Sequence, residues 1–369
     1  MLNNKGKKNK KSQLMQLEVW FEALRTLVAI GLSMLLVVAI VALVSDNPFE
    51  AIKSLLLGPI STFRRFGNVI ELMIPLTFTG LAITIVLKSK RFNLVADSAF
   101  FLGGMVATMV GIFSPFPPLI TLLLAMVLAF IAGGIAGYIP AIINSKFGAN
   151  ELVTSLMLNY VINFFVKYLF NYKVRDTSKQ AMQSLPMSPG VDLPIIVPGT
   201  RIHVGIIIMI VLVIITGLVI YRTRWGYALR ATGANENFAR YSGMKIGGIV
   251  IGAQVIGTGV AGLGGAVELI GIHKTFKWLD TPGYGFDGVI ISTLARGNPY
   301  MVPLAAFFLA YVRVGADILN RTSDLPAEII SVVQASIILL IAAQAFLSKF
   351  KHKLIVKKTG ALETSKGEN

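Results

Sequence analysis

The polar side chains inside the apolar stretches of this chain are few, and their types suit binding better than bond-making. Asn93 and Asp97 follow a basic cluster, Lys88 to Arg91. Asn159 and Asn163 are four apart, so they share one face of a helix. Phe286 and Asp287 stand in a Gly-Phe-Asp-Gly run that follows a glycine- and proline-rich break, Thr281 to Gly285. Polar groups are expensive in hydrocarbon and usually face a bundle interior or a pathway. A short helix broken by glycine and proline is tolerated at membrane depth where its backbone lines a cavity or is buried in protein. Asp287 therefore suggests a pathway most strongly. Catalysis has less to stand on. There is no cysteine, and His203, His273 and His352 lie far apart in no metal-ligand spacing. Neither G-x-x-x-x-G-K-[ST], H-E-x-x-H nor G-x-S-x-G occurs. Gly257, Gly259 and Gly262 fit the dinucleotide fingerprint formally, but that motif needs a preceding strand, and this one lies within an apolar stretch. The chain is expected to bind no cofactor and no metal, and not to be an enzyme.

The remaining intramembrane polar residues have plainer readings. Glu71 and Glu151 fall near the ends of apolar stretches, where a solvated, interfacial position is expected. Asn159 and Asn163 either line a path or bond a neighbouring helix, the commoner case. Arg313 and Asp317, also four apart, are expected to pair with each other.

These residues must be held by membrane helices. Of 369 residues, 54% are hydrophobic and 14% charged, with a mean hydropathy of +0.72; soluble domains carry roughly 25% charged residues. A net charge of +16 would suggest nucleic acid in a soluble protein. Here lysine and arginine cluster beside apolar runs, which points to the lipid bilayer and not to nucleic acid. A span needs about 20 apolar residues. The candidates are Thr26–Val44, Val69–Leu87, Leu94–Phe113, Leu119–Ile143, Leu152–Phe170, Val204–Tyr221, Ile246–Glu268, a short Gly285–Ala295, Met301–Leu319 and Ala327–Leu347. The expected fold is an all-α polytopic membrane protein with about ten transmembrane helices, one of them short and broken. Thr26–Val44 is too long for a secretory signal and reads as a retained span. With both termini cytoplasmic, about twenty-two Lys and Arg fall inside and ten outside, as the positive-inside rule requires. A basic cytoplasmic segment (1–25), one transmembrane domain (26–347) and a basic cytoplasmic tail (348–369) follow. Asn47–Asn68 reads as a plain outer loop, slightly ahead of an interfacial helix. The long outer loop 171–202 carries Pro186, Pro189, Pro194 and Pro198, so it is expected to be extended.

One inner segment stands out: 222–245, the sizeable polar stretch in the middle of the chain. It carries Arg222, Arg224, Arg230, Arg240 and Lys245. Gly226 to Thr232 reads as a short helix, and Gly233 is expected to end it in a left-handed conformation. Asn235 can cap a second helix, with Phe238 and Tyr241 on one face and Gly243 as its stop. Two short helices at the end of a bundle suggest a docking surface; the alternative is an ordinary solvated basic loop.

Several segments resemble permease subunits of bacterial ABC importers, in the branch that includes ribose and branched-chain amino acid permeases. They are most similar to nucleoside-type permeases that work with a basic-membrane-protein-like lipoprotein. Trp225 to Gly243 (WGYALRATGANENFARYSG) resembles that family's coupling segment, G-x-x-L-R-A-x-G-x-N-x-x-A-A-x-Y-x-G. Asn150 to Tyr160 resembles N-E-x-I-x-T-L-M-L-N-Y, and Gly285 to Pro299 resembles G-F-x-G-I-A-V-A-L-L-G-x-x-N-P. Phe92 to Ala99 corresponds to F-N-I-G-x-E-G-Q but carries Val95, Asp97, Ser98 and Ala99, so a substrate different from the usual nucleosides is possible there.

The resemblance implies an importer subunit in a bacterial cell membrane. Its coupling residues would be Arg224, Gly226, Leu229, Arg230, Gly233, Asn235, Phe238, Ala239, Tyr241 and Gly243. Asn93, Asp97, Asn159, Asn163, Phe286 and Asp287 would be candidates for the substrate pathway. Its partners would be a cytoplasmic ABC ATPase holding ATP and Mg, a second permease of different sequence, and an extracellular substrate-binding lipoprotein. The expected function is nucleoside import; the alternatives are an ABC permease for a sugar such as ribose, or an ion-coupled secondary transporter using Asp97, Asp287 or Glu268.

Overall fold

The computed structural model describes residues 47–322 and the isolated positions 39, 332, 335 and 336. Apart from those isolated positions, the proposed first span 26–44 and last span 327–347, and both basic termini, lie outside the described residues. Among the described residues eleven α-helices follow one another: α1 (Pro48–Leu57), α2 (Phe63–Leu87), α3 (Ala96–Phe113), α4 (Pro118–Phe147), α5 (Glu151–Leu169), α6 (Gly205–Arg222), α7 (Arg224–Ala234), α8 (Glu236–Tyr241), α9 (Ile246–Ile272), α10 (Tyr284–Leu294) and α11 (Val302–Thr322). Seven helical stretches among the described residues are long and apolar enough to cross a membrane: α2, α3, α4, α5 with its continuation to Val174, α6, α9, and α11 with its lead-in from Pro299. No strand occurs among the described residues, only two isolated bridges, Arg175 to Ser184 and Ile195 to His203.

The chain divides into two units. In the larger, residues 59–314, α9 is the helix around which α2, α3 and α4 gather. Small residues make this possible by letting backbones approach. A Cβ on Gly262 would lie 2.5 Å from the Ala129 carbonyl oxygen and 3.1 Å from the Gly133 Cα, and one on Gly257 would lie 2.7 Å from the Ala82 carbonyl oxygen. Helix ends follow local chemistry. The Asn150 side chain accepts from Leu152 N–H at 3.0 Å and opens α5, and Gly148, with φ +65, closes α4. Between α2 and α3 the chain does not run helix to helix. A tight turn with Lys90 at φ 54 leads into an extended stretch, and Asn93 and Val95 are buried there.

In the smaller unit, the segment expected as a plain loop is instead the helix α1. Pro48 sits in its first turn with Glu50, where proline loses no needed hydrogen bond and an acid meets the positive helix end. Phe49 and Leu57 are exposed, whereas Leu55 is buried with its carbonyl against Gly315.

Candidate functional site

The first site is the start of α10. α9 ends at Ile272, and residues 273–283 return without helical structure to Gly283, whose φ of +76 turns the chain into α10. Gly283 offers no side-chain cap. Asp97 supplies it from α3: its Oδ1 accepts the Gly285 N–H at 2.9 Å, and Asp97 is 1% exposed. Gly285 must be glycine here, because a Cβ would collide with the Asp97 backbone. One turn on, Asp287 pairs with Arg313 at 2.5 Å, and the Arg313 guanidinium lies 5.7 Å over the Tyr284 ring. The Tyr284 hydroxyl points to Glu268 at 3.4 Å. Phe100 meets the Tyr284 ring edge-on at 5.3 Å and the Trp278 ring at 5.7 Å.

The α5 face borders the same place. Asn159 accepts the Ser98 N–H at 2.9 Å. The Asn163 amide donates to Asp280 at 2.5 Å, and the Lys167 ammonium lies 3.2 Å from the same carboxylate. Around them α5 exposes Tyr160, Phe164, Phe165 and Tyr168, whereas the large hydrophobic side chains that α6 exposes are aliphatic, such as Ile207, Ile210, Ile214 and Leu218. Phe286 is 47% exposed. Five of the six pathway candidates thus gather at the start of α10. Asn93 stands apart, donating to the Gln254 side chain of α9 at 2.5 Å.

Two pairings differ from the sequence expectation. Arg313 does not serve Asp317; it reaches Asp287, and Asp317 pairs with Arg321 at 3.1 Å. A partner on another helix wins because it is buried and needs a counter-charge, whereas Asp317 is exposed. Glu71 and Glu151 are not solvated at an interface. Glu71 is 13% exposed and faces Arg201 at 3.8 Å, and Glu151 is 7% exposed. Packing by neighbouring helices, invisible to hydropathy, covers both. Sequence reasoning also passed over Tyr284, Trp278, Asp280 and Gln254. Tyr284 stood in the glycine- and proline-rich break itself, and the aromatic run from Phe276 to Trp278 beside it was the available signal.

The second site is the α7–α8 element. Thr223 caps α7 by accepting the Gly226 N–H at 3.0 Å. α7 runs from Arg224 to Ala234, so Gly233 lies inside it. It takes no left-handed conformation, contrary to expectation. It is glycine for another reason: a Cβ there would collide with the Lys88 carbonyl oxygen. Asn235 opens α8, accepting the Phe238 N–H at 3.1 Å, and Gly243, with φ +79, stops it. Leu229 and Ala239 are buried under the pair, whereas Phe238 is 58% and Tyr241 91% exposed. Arg224 and Arg240 are exposed. The element is tied down on two sides. Arg230 lies 5.5 Å over the Tyr221 ring and Lys88 5.8 Å over the same ring, and Tyr221 stacks on Tyr300 at 6.1 Å. Burial, with Arg230 beside it, pushes the Lys88 ammonium below its usual range. On the other side Arg91 pairs with Glu236 at 3.1 Å.

At the opposite end of the bundle, residues 171–174 continue α5, and the rest of the loop expected over 171–202 is without helix. It is stitched to the segment after α9: Ser184 N–H to the Phe276 carbonyl at 2.9 Å, Met187 N–H to Lys274 at 3.2 Å, Leu193 N–H to Ile270 at 3.3 Å. Between them opens a cleft of about 870 Å³, lined by Lys179, Arg201, His273, Lys274 and Lys277 with Asp192. Burial and the charges of Lys277 and Arg201 lower the His273 pKa. His203, fully buried, is held down to about 4 by desolvation. Among the described residues no group of three or more His, Cys, Asp or Glu could hold a metal ion.

Known proteins match this chain along most of its length. Residues 65–342 match the profile of the family described as branched-chain amino acid transport system / permease component. The chain is 28% identical to the glucose ABC transporter permease protein TsgB13 of Haloferax volcanii, over 88% of this chain and 87% of that one. It is 31% identical to the guanosine ABC transporter permease protein NupP of Bacillus subtilis, over 44% of this chain and 46% of that one. It is 26% identical to the nucleoside ABC transporter permease protein NupB of Lactococcus lactis, over 46% and 47%. No solved structure matches it. A polar half-helix capped from a neighbour, a folded two-helix element at one end of an apolar bundle, and a family match spanning the bundle agree: this chain is a multi-pass cell-membrane protein and a member of the branched-chain amino acid transport system permease family of ABC importers.

Proposed function

We propose that the chain forms the substrate pathway of an ATP-driven nucleoside importer, and that it does so with both termini cytoplasmic and ten membrane helices. The seven described spans, the short α10 and the apolar stretches 26–44 and 327–347 make up that number. The observation that carries the proposal is the α7–α8 element: two capped helices, fixed to the bundle from below, with Phe238 and Tyr241 exposed. A solvated loop has no need of caps, a buried underside and two exposed aromatic rings. Such a surface fits the groove of a cytoplasmic ATPase, which supplies ATP and Mg, since this chain carries no P-loop.

Substrate passes, in this proposal, along the start of α10, where Asp97, Asp287, Phe286, Asn159 and Asn163 converge. The α5 face carries Asn163 and Lys167, both held to Asp280 of the segment after α9, among exposed aromatic rings, and hydrocarbon would not solvate those polar groups. It is the face on which a second permease of different sequence packs. A binding lipoprotein delivers substrate at the end that carries the 171–202 loop. The nucleoside substrate rests on the NupP and NupB resemblance. A second reading, a sugar, is favoured by the longer alignment with the glucose permease. Reconstitution of the complex from its native membrane tests both. ATP-dependent uptake of labelled nucleoside, competed by unlabelled nucleoside and not by glucose or ribose, is expected. Uptake of sugar alone establishes the second reading, and uptake by the purified chain with an ion gradient and no ATP removes both.

A further inference from the structure

The stretch Lys88–Asp97 is irregular and largely buried, and it touches both sites. At its first residue, the Lys88 carbonyl lies directly under Gly233 of α7. Three residues on, Arg91 pairs with Glu236 of α8 at 3.1 Å. Asn93 is locked to Gln254 at 2.5 Å and folds its own backbone by accepting the Val95 N–H at 2.8 Å. The Leu94 N–H reaches Ser155 of α5 at 3.3 Å. Asp97 then caps α10 through Gly285 at 2.9 Å. Ten residues therefore run from the underside of α7–α8 to the start of the half-helix, gripped at every second or third position.

A helix would transmit a push along its axis, but this stretch has no internal ladder of hydrogen bonds. Its position is set by the side chains that hold it. The grip nearest α8 is Arg91 with Glu236, with side chains 33% and 41% exposed. Glu236 also meets Arg240 at 3.3 Å.

We propose that Arg91 is a positioning residue of the import cycle: through Glu236 it makes the Lys88–Asp97 strap move with α8, so that displacement of α7–α8 reaches Asp97 and the start of α10. This rests on the reading of the chain as an ATP-driven permease. The substrate does not touch Arg91, so substitution leaves binding and complex assembly alone and changes how much transport each ATP yields.

The test uses the reconstituted complex and reads uptake and ATP hydrolysis together. Arg91→Gln and Glu236→Gln are each expected to lower uptake per ATP about fivefold, the upper range for a part-exposed ion pair, with the ATPase still bound. The double variant is expected to be no worse than either single one. The chain has no cysteine, so Arg91→Cys with Glu236→Cys can be joined selectively by a short, reducible bis-methanethiosulfonate linker. Joining the pair is expected to restore uptake per ATP to within about twofold of wild type, and reduction to lose it again. A pair that only held the fold together would, when broken, lower uptake and ATP hydrolysis in parallel and leave their ratio unchanged. Single effects that multiply in the double variant, parallel loss of hydrolysis and uptake, or a tether that restores nothing would each overturn the inference. A wild-type complex without ATP-dependent uptake would instead overturn the functional reading, and the inference with it.

Discussion

Removing the cap that Asp97 places on α10 should weaken transport by an amount the structure fixes. α10 has eleven residues, a length at which a helix owes its stability to surroundings and caps. Its own Gly283 provides no side-chain acceptor, and the Gly285 N–H is served by Asp97 Oδ1 at 2.9 Å. In Asp97→Ala that buried donor loses its partner, at a cost of about 1–3 kcal/mol. If transport requires α10 in the capped arrangement, the competent population falls roughly 5- to 150-fold. In Asp97→Asn an amide oxygen remains where Oδ1 was, so most of the effect should vanish. The assay is initial-rate uptake by cells expressing each variant, normalised to surface-exposed protein, with melting of the solubilised chain as a control for folding. Near-normal uptake by a well-expressed Asp97→Ala variant would refute the reasoning. Equal loss in Ala and Asn variants would also refute it, since it would assign the effect to charge and not to the cap.

Gly233→Val puts side-chain atoms where the Lys88 carbonyl lies; ATP-dependent uptake should be lost while the chain still inserts and binds its ATPase, which a pull-down with an uptake measurement checks. Arg313→Ala leaves Asp287, 5% exposed, without its counter-charge. Breaking such a pair costs about 3–5 kcal/mol, so the detergent-solubilised melting temperature should drop clearly, and Asp287→Asn in the same chain should recover part of it. His203 is held at about 4 against an ordinary 6.5. Between those values the unfolded chain takes up a proton that the folded chain refuses. Stability from this group is therefore full above about 6.5 and falls as the pH drops toward 4. Thermal melts from pH 7.5 to 4.5 should show the slope, and His203→Gln, compared across the same range, should flatten it.

Much of this was legible in the sequence because it is local. Runs of apolar residues gave the seven described spans to within several residues. Asn150, Asn235 and Gly243 announced their caps and stops through side-chain chemistry that needs no tertiary context. Motif residues placed Asp97 and Asp287 among pathway candidates. What failed required neighbours in space. Gly233 looked like a helix stop, but its lack of a Cβ answers to the Lys88 carbonyl, 145 positions away. Arg313 had a carboxylate four residues on, yet the buried one on α10 claims it. Glu71 and Glu151 sit near span ends by hydropathy but are covered by packing. Pro48 and Glu50 did carry a helix-start signal for α1, which the mixed polarity of Asn47–Asn68 obscured.

The central claim is that α7–α8 is where a separate ATPase drives this permease, and purification of the chain from its native membrane tests it most directly. The solubilised wild-type chain should bring down a P-loop ATPase, together with a second permease. A chain with Phe238→Ala and Tyr241→Ala, which removes two largely exposed rings, should fold and insert yet lose that ATPase. Retention of the ATPase by this double variant would contradict the assignment of the element. A wild-type chain that comes down alone and imports substrate in liposomes without ATP would contradict the whole account.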